Sequence, residues 1–142
     1  MTTTTLPRPA PSKVPAQLAP WRDHWLLVRP RIVALVLFTM LVPAVAAGAQ
    51  RPAWDVLAHA LGGSALVIAG AIALNQRIER RTDALMRRTA MRPLPSGRMT
   101  ARQATVFGAV LSAAGMGWLA ATMPWTMVLL TLASWVVYVW IY

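Results

Sequence analysis

The sequence predicts an all-α fold, a polytopic bundle of four transmembrane helices, and three observations carry that expectation. Apolar residues make up 57% of the chain and charged residues only 13%, too few charges to cover a water-soluble domain of this size. Apolar stretches at 32–49, 54–74, 104–122 and 125–142 each approach the roughly 20 residues that a helix needs to cross a bilayer. The net charge of +10 comes from basic residues gathered in two places between apolar runs. A soluble nucleic-acid binder would spread such charge over its surface, and no nucleic-acid-binding module is recognisable, so no nucleic acid is expected as a partner. Cysteine is absent, which excludes disulfides and thiolate metal sites.

Residues 1–20 contain four consecutive threonines and Pro7, Pro9, Pro11, Pro15 and Pro20, with no acid. This composition cannot bury a core and reads as a disordered tail; two basic residues among those prolines make a poor transit helix. Trp21 to Arg31 reads as an interfacial lead-in, with Trp21 and Trp25 suited to the headgroup region and Arg29 and Arg31 able to stay in water. The span 32–49 follows, with Pro43 as an expected kink. Ala47-Gly48-Ala49 resembles a signal-peptide cleavage site, but a second apolar span follows almost at once, which favours a transmembrane segment.

After a short connection at 50–53, Pro52 suits the first turn of the next helix and Asp55 lies near its positive end. In the span 54–74, Ala65, Ala69 and Ala73 share a face of small residues where another helix can approach. His59 stands inside this span, where a lone histidine is more often a hydrogen-bonded structural residue than a ligand. Further on, Pro93, Pro95 and Gly97 make a compact turn, and Thr100 with Gln103 has the spacing of a capping box that starts the third helix. Ala109, Ala113, Gly117 and Ala121 recur at every fourth position of that helix and are expected to form its packing face. Met123-Pro124 turns the chain into the fourth span, which runs to Tyr142 with no polar flank; that ending suggests truncation.

The polar segment Asn75 to Arg98 organises the rest. If the helix entering it continues, Asn75, Glu79 and Asp83 share one face, each about 40° further round and about 6 Å further along. One amide and two carboxylates are hard oxygen ligands suited to Mg²⁺, which is commonly held by carboxylates together with the phosphates of a substrate. Around them lie Arg77, Arg80, Arg81, Arg87, Arg88, Arg92 and Arg98, whose guanidinium groups fit phosphate oxygens bidentately; Arg80, Arg87, Arg88 and Arg92 are the candidate diphosphate ligands. Eight arginines lie between Arg77 and Arg102, whereas the connection near residue 50 has only Arg51 and the one at Met123-Pro124 has none. By the positive-inside rule the N-terminus and the loop 75–103 face the cytoplasm of a multi-pass protein of the cell (inner) membrane.

The pattern Asn75-x-x-x-Glu79-x-x-x-Asp83, continued by Leu85-Met86-Arg87-Arg88-Thr89 and Arg92-Pro93-Leu94-Pro95-Ser96-Gly97-Arg98, resembles the first aspartate-rich motif of the UbiA superfamily of intramembrane prenyltransferases. Within it, Asp83-Ala84-Leu85-Met86 and the lead-in Arg29-Pro30-Arg31-Ile32-Val33 resemble the protoheme IX farnesyltransferase (heme O synthase) family, and cover the first half of that family's chain. Arg81 departs from the pattern, standing where these enzymes usually carry another Asp. The resemblance implies Mg²⁺ held by Asn75, Glu79 and Asp83 with a second aspartate-rich loop from a C-terminal half missing here. It also implies farnesyl diphosphate and heme B as substrates and heme O as product. Four helices do not enclose a dry cavity unaided, so the chain alone is expected to be inactive. Two other readings stay open: a UbiA-type enzyme with an aromatic acceptor, which shares the Arg-Pro-Leu-Pro-Ser-Gly stretch, and a basic membrane anchor binding anionic lipid.

Overall fold

Backbone polar groups have no water to bond in hydrocarbon, so apolar spans resolve into helices. The computed structural model describes residues 20–47, 53–86 and 88–141, and every regular element among them is helical. These are α1 (Trp21–Val28), α2 (Pro30–Ala47), α3 (Trp54–Leu85), α4 (Ala101–Thr122) and α5 (Trp125–Val136), the last continued by a π-helical turn at Val137–Ile141. Helices α2, α3 and α4 are long and apolar enough to cross a membrane, and the apolar stretch Trp125–Trp140 is shorter. The tail expected over 1–20 lies outside the described residues except for Pro20, as do the connection 48–52 with Pro52, and Arg87.

Helix boundaries follow local chemistry. α1 stops at Arg29, whose φ of 50° and ψ of 66° lie in the left-handed region, a conformation that costs a non-glycine residue about 1–2 kcal/mol. Pro30, with no N–H to lose, then opens α2, and the Arg29 carbonyl accepts from the Ile32 N–H at 2.9 Å. α2 continues through Pro43 to Ala47. α3 does not stop at Leu74 but runs on through the polar segment to Leu85, because no proline or glycine interrupts residues 75–85. Thr100 and Gln103 form the capping box, each accepting from the other's backbone N–H, so α4 begins at Ala101 rather than at Ala104.

The principal seam joins α3 to α4, and it is built on glycine. A Cβ added at Gly70 would lie 2.6 Å from the Gly108 carbonyl and 2.7 Å from the Ser112 nitrogen; one at Gly115 would lie 2.7 Å from the Val67 nitrogen. Only hydrogen allows these backbones to meet, and without water between helices such close packing is the main cohesive term. The face of α4 that packs is Ala104, Gly108, Ser112, Gly115 and Leu119, all buried. This corrects the expected row, since Ala109, Ala113, Gly117 and Ala121 are exposed. A strict fourth-residue row winds about 40° per step and so leaves the seam, whereas the step of three from Ser112 to Gly115, set among steps of four, brings the row back to it.

Around this pair, Val33 and Leu37 of α2 pack on Ala65, Ala69 and Ile72, and Val128 of α5 packs with Val67 and Leu119. Trp135 of α5 donates its indole N–H to Ser112 Oγ at 3.0 Å. Small-residue spacing on α3 therefore does admit a helix, α2, at Ala65 and Ala69, while Ala73 joins a separate core with Leu27, Leu94, Met99 and Ala104. Gly70→Ala and Gly115→Ala are expected to destabilise the bundle by about 1–3 kcal/mol, overpacking outweighing helix propensity. Gly117, with nothing within 4 Å of an added Cβ, should accept Ala without loss. Unfolding in mixed detergent micelles checks all three.

Candidate functional site

α3 is 32 residues long, which at 1.5 Å per residue is about 48 Å, well beyond a hydrocarbon core of about 30 Å. Counted from Trp54, Asn75 lies about 32 Å along the axis. The last turns of α3 therefore carry Asn75, Glu79 and Asp83 out of the hydrocarbon at one membrane surface. Their shared face is formed, as the unbroken helix requires.

Asn75, buried at 6% exposure, donates its amide N–H to Glu79 Oε1 at 3.0 Å. Asp83, at 7% exposure, accepts from Arg92 Nη1 on Oδ2 at 2.5 Å, a charge-assisted bond. The chain reverses between them: Thr89 Oγ1 donates to the Asp83 carbonyl at 2.7 Å, and the Arg92 N–H donates to the Thr89 carbonyl at 3.0 Å. Thr89 thus adds a short bond to a carbonyl at the end of α3 that, among the described residues, otherwise accepts only a long one, 3.4 Å, from the Met86 N–H. Sequence reasoning missed Thr89, although a lone threonine just past a helix end is a residue type that bonds backbone locally.

The loop after α3 is a folded unit. The Ser96 N–H donates to the Arg92 carbonyl at 3.0 Å, Gly97 to Leu94 at 3.2 Å and Met99 to Pro93 at 3.0 Å. Gly97 supplies the turn with φ of 77°, a conformation that favours glycine. Leu94 and Met99 are buried beneath it.

The donor set fits a hard divalent cation in type, with a limit on geometry. Asn75 and Asp83 are about 12 Å apart along the axis, too far for both to touch one ion whose ligand oxygens stand about 2.1 Å from it. Neighbouring pairs, Asn75 with Glu79 or Glu79 with Asp83, are the units that can share an ion. No cluster of three or more His, Cys, Asp or Glu side chains able to hold a metal occurs among the described residues. Arg77, Arg80, Arg81 and Arg88 are exposed; Arg80 flanks the face, whereas Arg77 and Arg81 fall on the far side of α3, and Arg87 lies outside the described residues. Arg92 differs from the other candidate diphosphate ligands, being engaged with Asp83. His59 lies against Trp118, ring centroids 5.8 Å apart, away from the site.

One turn before Asn75, Ala71 lines a cleft of about 290 Å³ between α2, α3 and α5, bounded mainly by apolar side chains including Ile32, Val36, Val67 and Trp135. Towards the other membrane face a wider cleft of about 740 Å³ opens between the same helices. The apolar cleft and the ionic face thus follow one another along α3, Asn75 standing one turn beyond Ala71.

The UbiA prenyltransferase family matches residues 35–142. Among curated proteins, the chain is 38% identical over 122 residues to the protoheme IX farnesyltransferase of Alkalilimnicola ehrlichii, covering 86% of this chain and 40% of that protein. It is 39% identical to the protein of the same name from Erythrobacter litoralis, covering 94% and 42%. Against protoheme IX farnesyltransferase 1 of Pseudomonas fluorescens it is 42% identical, covering 86% and 41%. The chain thus spans about two fifths of the length of these relatives. No solved structure matches it significantly.

Arg92→Ala leaves the Asp83 carboxylate buried without its guanidinium, and is expected to cost about 1–3 kcal/mol of stability. Denaturant unfolding in detergent, read beside tryptic cleavage of the loop 86–99, checks this.

Proposed function

The chain belongs to the UbiA prenyltransferase family, and on that premise we propose that it supplies part of an enzyme transferring a farnesyl group from farnesyl diphosphate to a vinyl group of heme B. The observation that carries this reading is the succession along α3 of an apolar cleft, lined by Ala71, and, from one turn further on, the face of Asn75, Glu79 and Asp83. A prenyl diphosphate has the same two-part chemistry, an anionic head and a long apolar tail. The heme acceptor is taken from the names of the relatives, and the remaining ligands and cavity walls from the rest of their length.

Bound Mg²⁺ would neutralise the diphosphate leaving group. Glu79 would hold it through a carboxylate oxygen together with one neighbour on the face, Asp83 through its carboxylate or Asn75 through its amide oxygen. Exposed Arg80 and Arg88, together with Arg87, would bond the non-bridging phosphate oxygens as negative charge develops on the departing diphosphate. The bond between farnesyl C1 and the bridging oxygen breaks with its electron pair on diphosphate. The heme vinyl group then donates its π electrons to C1, forming the new carbon–carbon bond. Water adds to the carbon left electron-poor and loses a proton, giving a hydroxyethylfarnesyl substituent. The groove beneath Asn75 would hold the farnesyl chain and keep water from the cation before the vinyl group captures it.

Arginine density supports a cytoplasmic N-terminus and loop 75–103 at the cell membrane under the same reading. Because the chain has no cysteine, Ser96→Cys gives a single labelling site. It should react with an impermeant maleimide only in inside-out vesicles, and labelling of intact spheroplasts would reverse the topology.

Asp83→Asn, placed in the complete enzyme, should lower Mg²⁺-dependent formation of heme O by about 100-fold or more. Binding to anionic vesicles should be unchanged or slightly stronger with one acid fewer. Product extracted from membranes and identified by mass decides it: unimpaired turnover would remove Asp83 from the site.

A further inference from the structure

Asp23 lies on α1, 60 residues before Asp83, and is only 4% exposed. A carboxylate so buried normally needs strong compensation, and this one has little. Its Oδ1 stands 3.4 Å from Arg98 Nε, a long ion pair, and its Oδ2 is buried with no hydrogen-bond partner. As a stabilising contact the arrangement is poor.

What Asp23 does hold is a guanidinium that bridges α1 and the loop. Arg98 Nη2 donates to the Met91 carbonyl at 2.9 Å, pinning the middle of the loop. The next residue is Arg92, whose Nη1 meets Asp83. The sequence of contacts is thus Asp23 to Arg98, Arg98 to the Met91 carbonyl, and Arg92 to Asp83. α1 is itself fixed at the base of this relay. Leu27 is fully buried against Ala73, Leu94, Met99 and Ala104, and Gln76, next to Asn75, donates its amide N–H to the Leu27 carbonyl. His24 packs edge-on against Phe107 of α4 with centroids 4.9 Å apart.

We infer that Asp23 is a positioning residue: through Arg98 it holds the loop so that Arg92 and Asp83 stay together at the mouth of the site. The consequence for ligand binding rests on the prenyl-diphosphate reading above; the consequence for the loop does not. Arg98, counted among the surrounding phosphate-facing arginines on sequence grounds, belongs to this latch instead.

The test uses the whole chain in lipid nanodiscs, with inorganic pyrophosphate and Mg²⁺ as probe, and compares Asp23→Leu and Arg98→Lys with the unmodified protein. Lysine keeps a cation opposite Asp23 but its single ammonium cannot serve both Asp23 and the Met91 carbonyl in place of a fork. Both variants should speed hydrogen exchange at the Ser96, Gly97 and Met99 amides about tenfold, with the α3–α4 seam unaffected, and weaken pyrophosphate binding by about tenfold. The unfolding midpoint of Asp23→Leu should be unchanged or higher, because a poorly paired buried charge has gone. Unchanged loop exchange in either variant would overturn the inference, as would loosening of loop and seam together, or a looser loop with undiminished pyrophosphate affinity. If the unmodified chain binds no pyrophosphate while the loop responds as expected, the latch stands and the diphosphate reading of this chain falls.

Discussion

Two helix backbones meet where Gly70 faces Gly108 and Ser112, and the positions of the remaining elements follow from that contact. Because α4 lies so close to α3 on one side, α2 and α5 pack at the flanks, α2 against Ala65 and Ala69 and α5 against Val67. They do not close on each other. The result is a groove between α2, α3 and α5 whose upper end lies one turn from Asn75. In a bilayer, where burial of apolar area gives no advantage of helix over lipid, this steric permission at glycine decides which faces pair and which remain open.

Length does the rest of the positioning. A helix of 32 residues outreaches the hydrocarbon, so the same rigid rod that carries the seam also carries Asn75, Glu79 and Asp83 into the polar region. No loop flexibility separates Asn75 from the packed core below it. Its burial, and its bond to Glu79, are consequences of helix continuity rather than of a separately folded site.

Charge is distributed with the same economy. Four acids serve a chain of net charge +10, and Asp23, Glu79 and Asp83 gather at the basic end, each with a partner: Arg98, Asn75 and Arg92 respectively. The basic segment is therefore not an evenly solvated cluster. Arg92 and Arg98 are engaged in closing the loop over α3 and α1, whereas exposed Arg80 flanks the face and Arg77 and Arg81 fall on the far side of α3.

The all-α class, the apolar spans, the helix start at Thr100 and the row Asn75, Glu79, Asp83 were legible from the residues themselves. Each depends on local periodicity, composition or capping, which neighbouring residues fix without help from the rest of the chain. The seam of α4 was not legible, because a row of alanines at every fourth position and the true face through Gly108, Ser112 and Gly115 are both small-residue patterns. Only the steric fit to Gly70 and Val67 chooses between them. Nor did the sequence separate Arg92 and Arg98 from the other arginines. Their roles come from folding the loop back on α1 and α3, a contact between residues far apart in the chain. Residue chemistry thus determined which donor atoms and charges the segment offers, and tertiary packing decided which of its charges are committed to holding it in place.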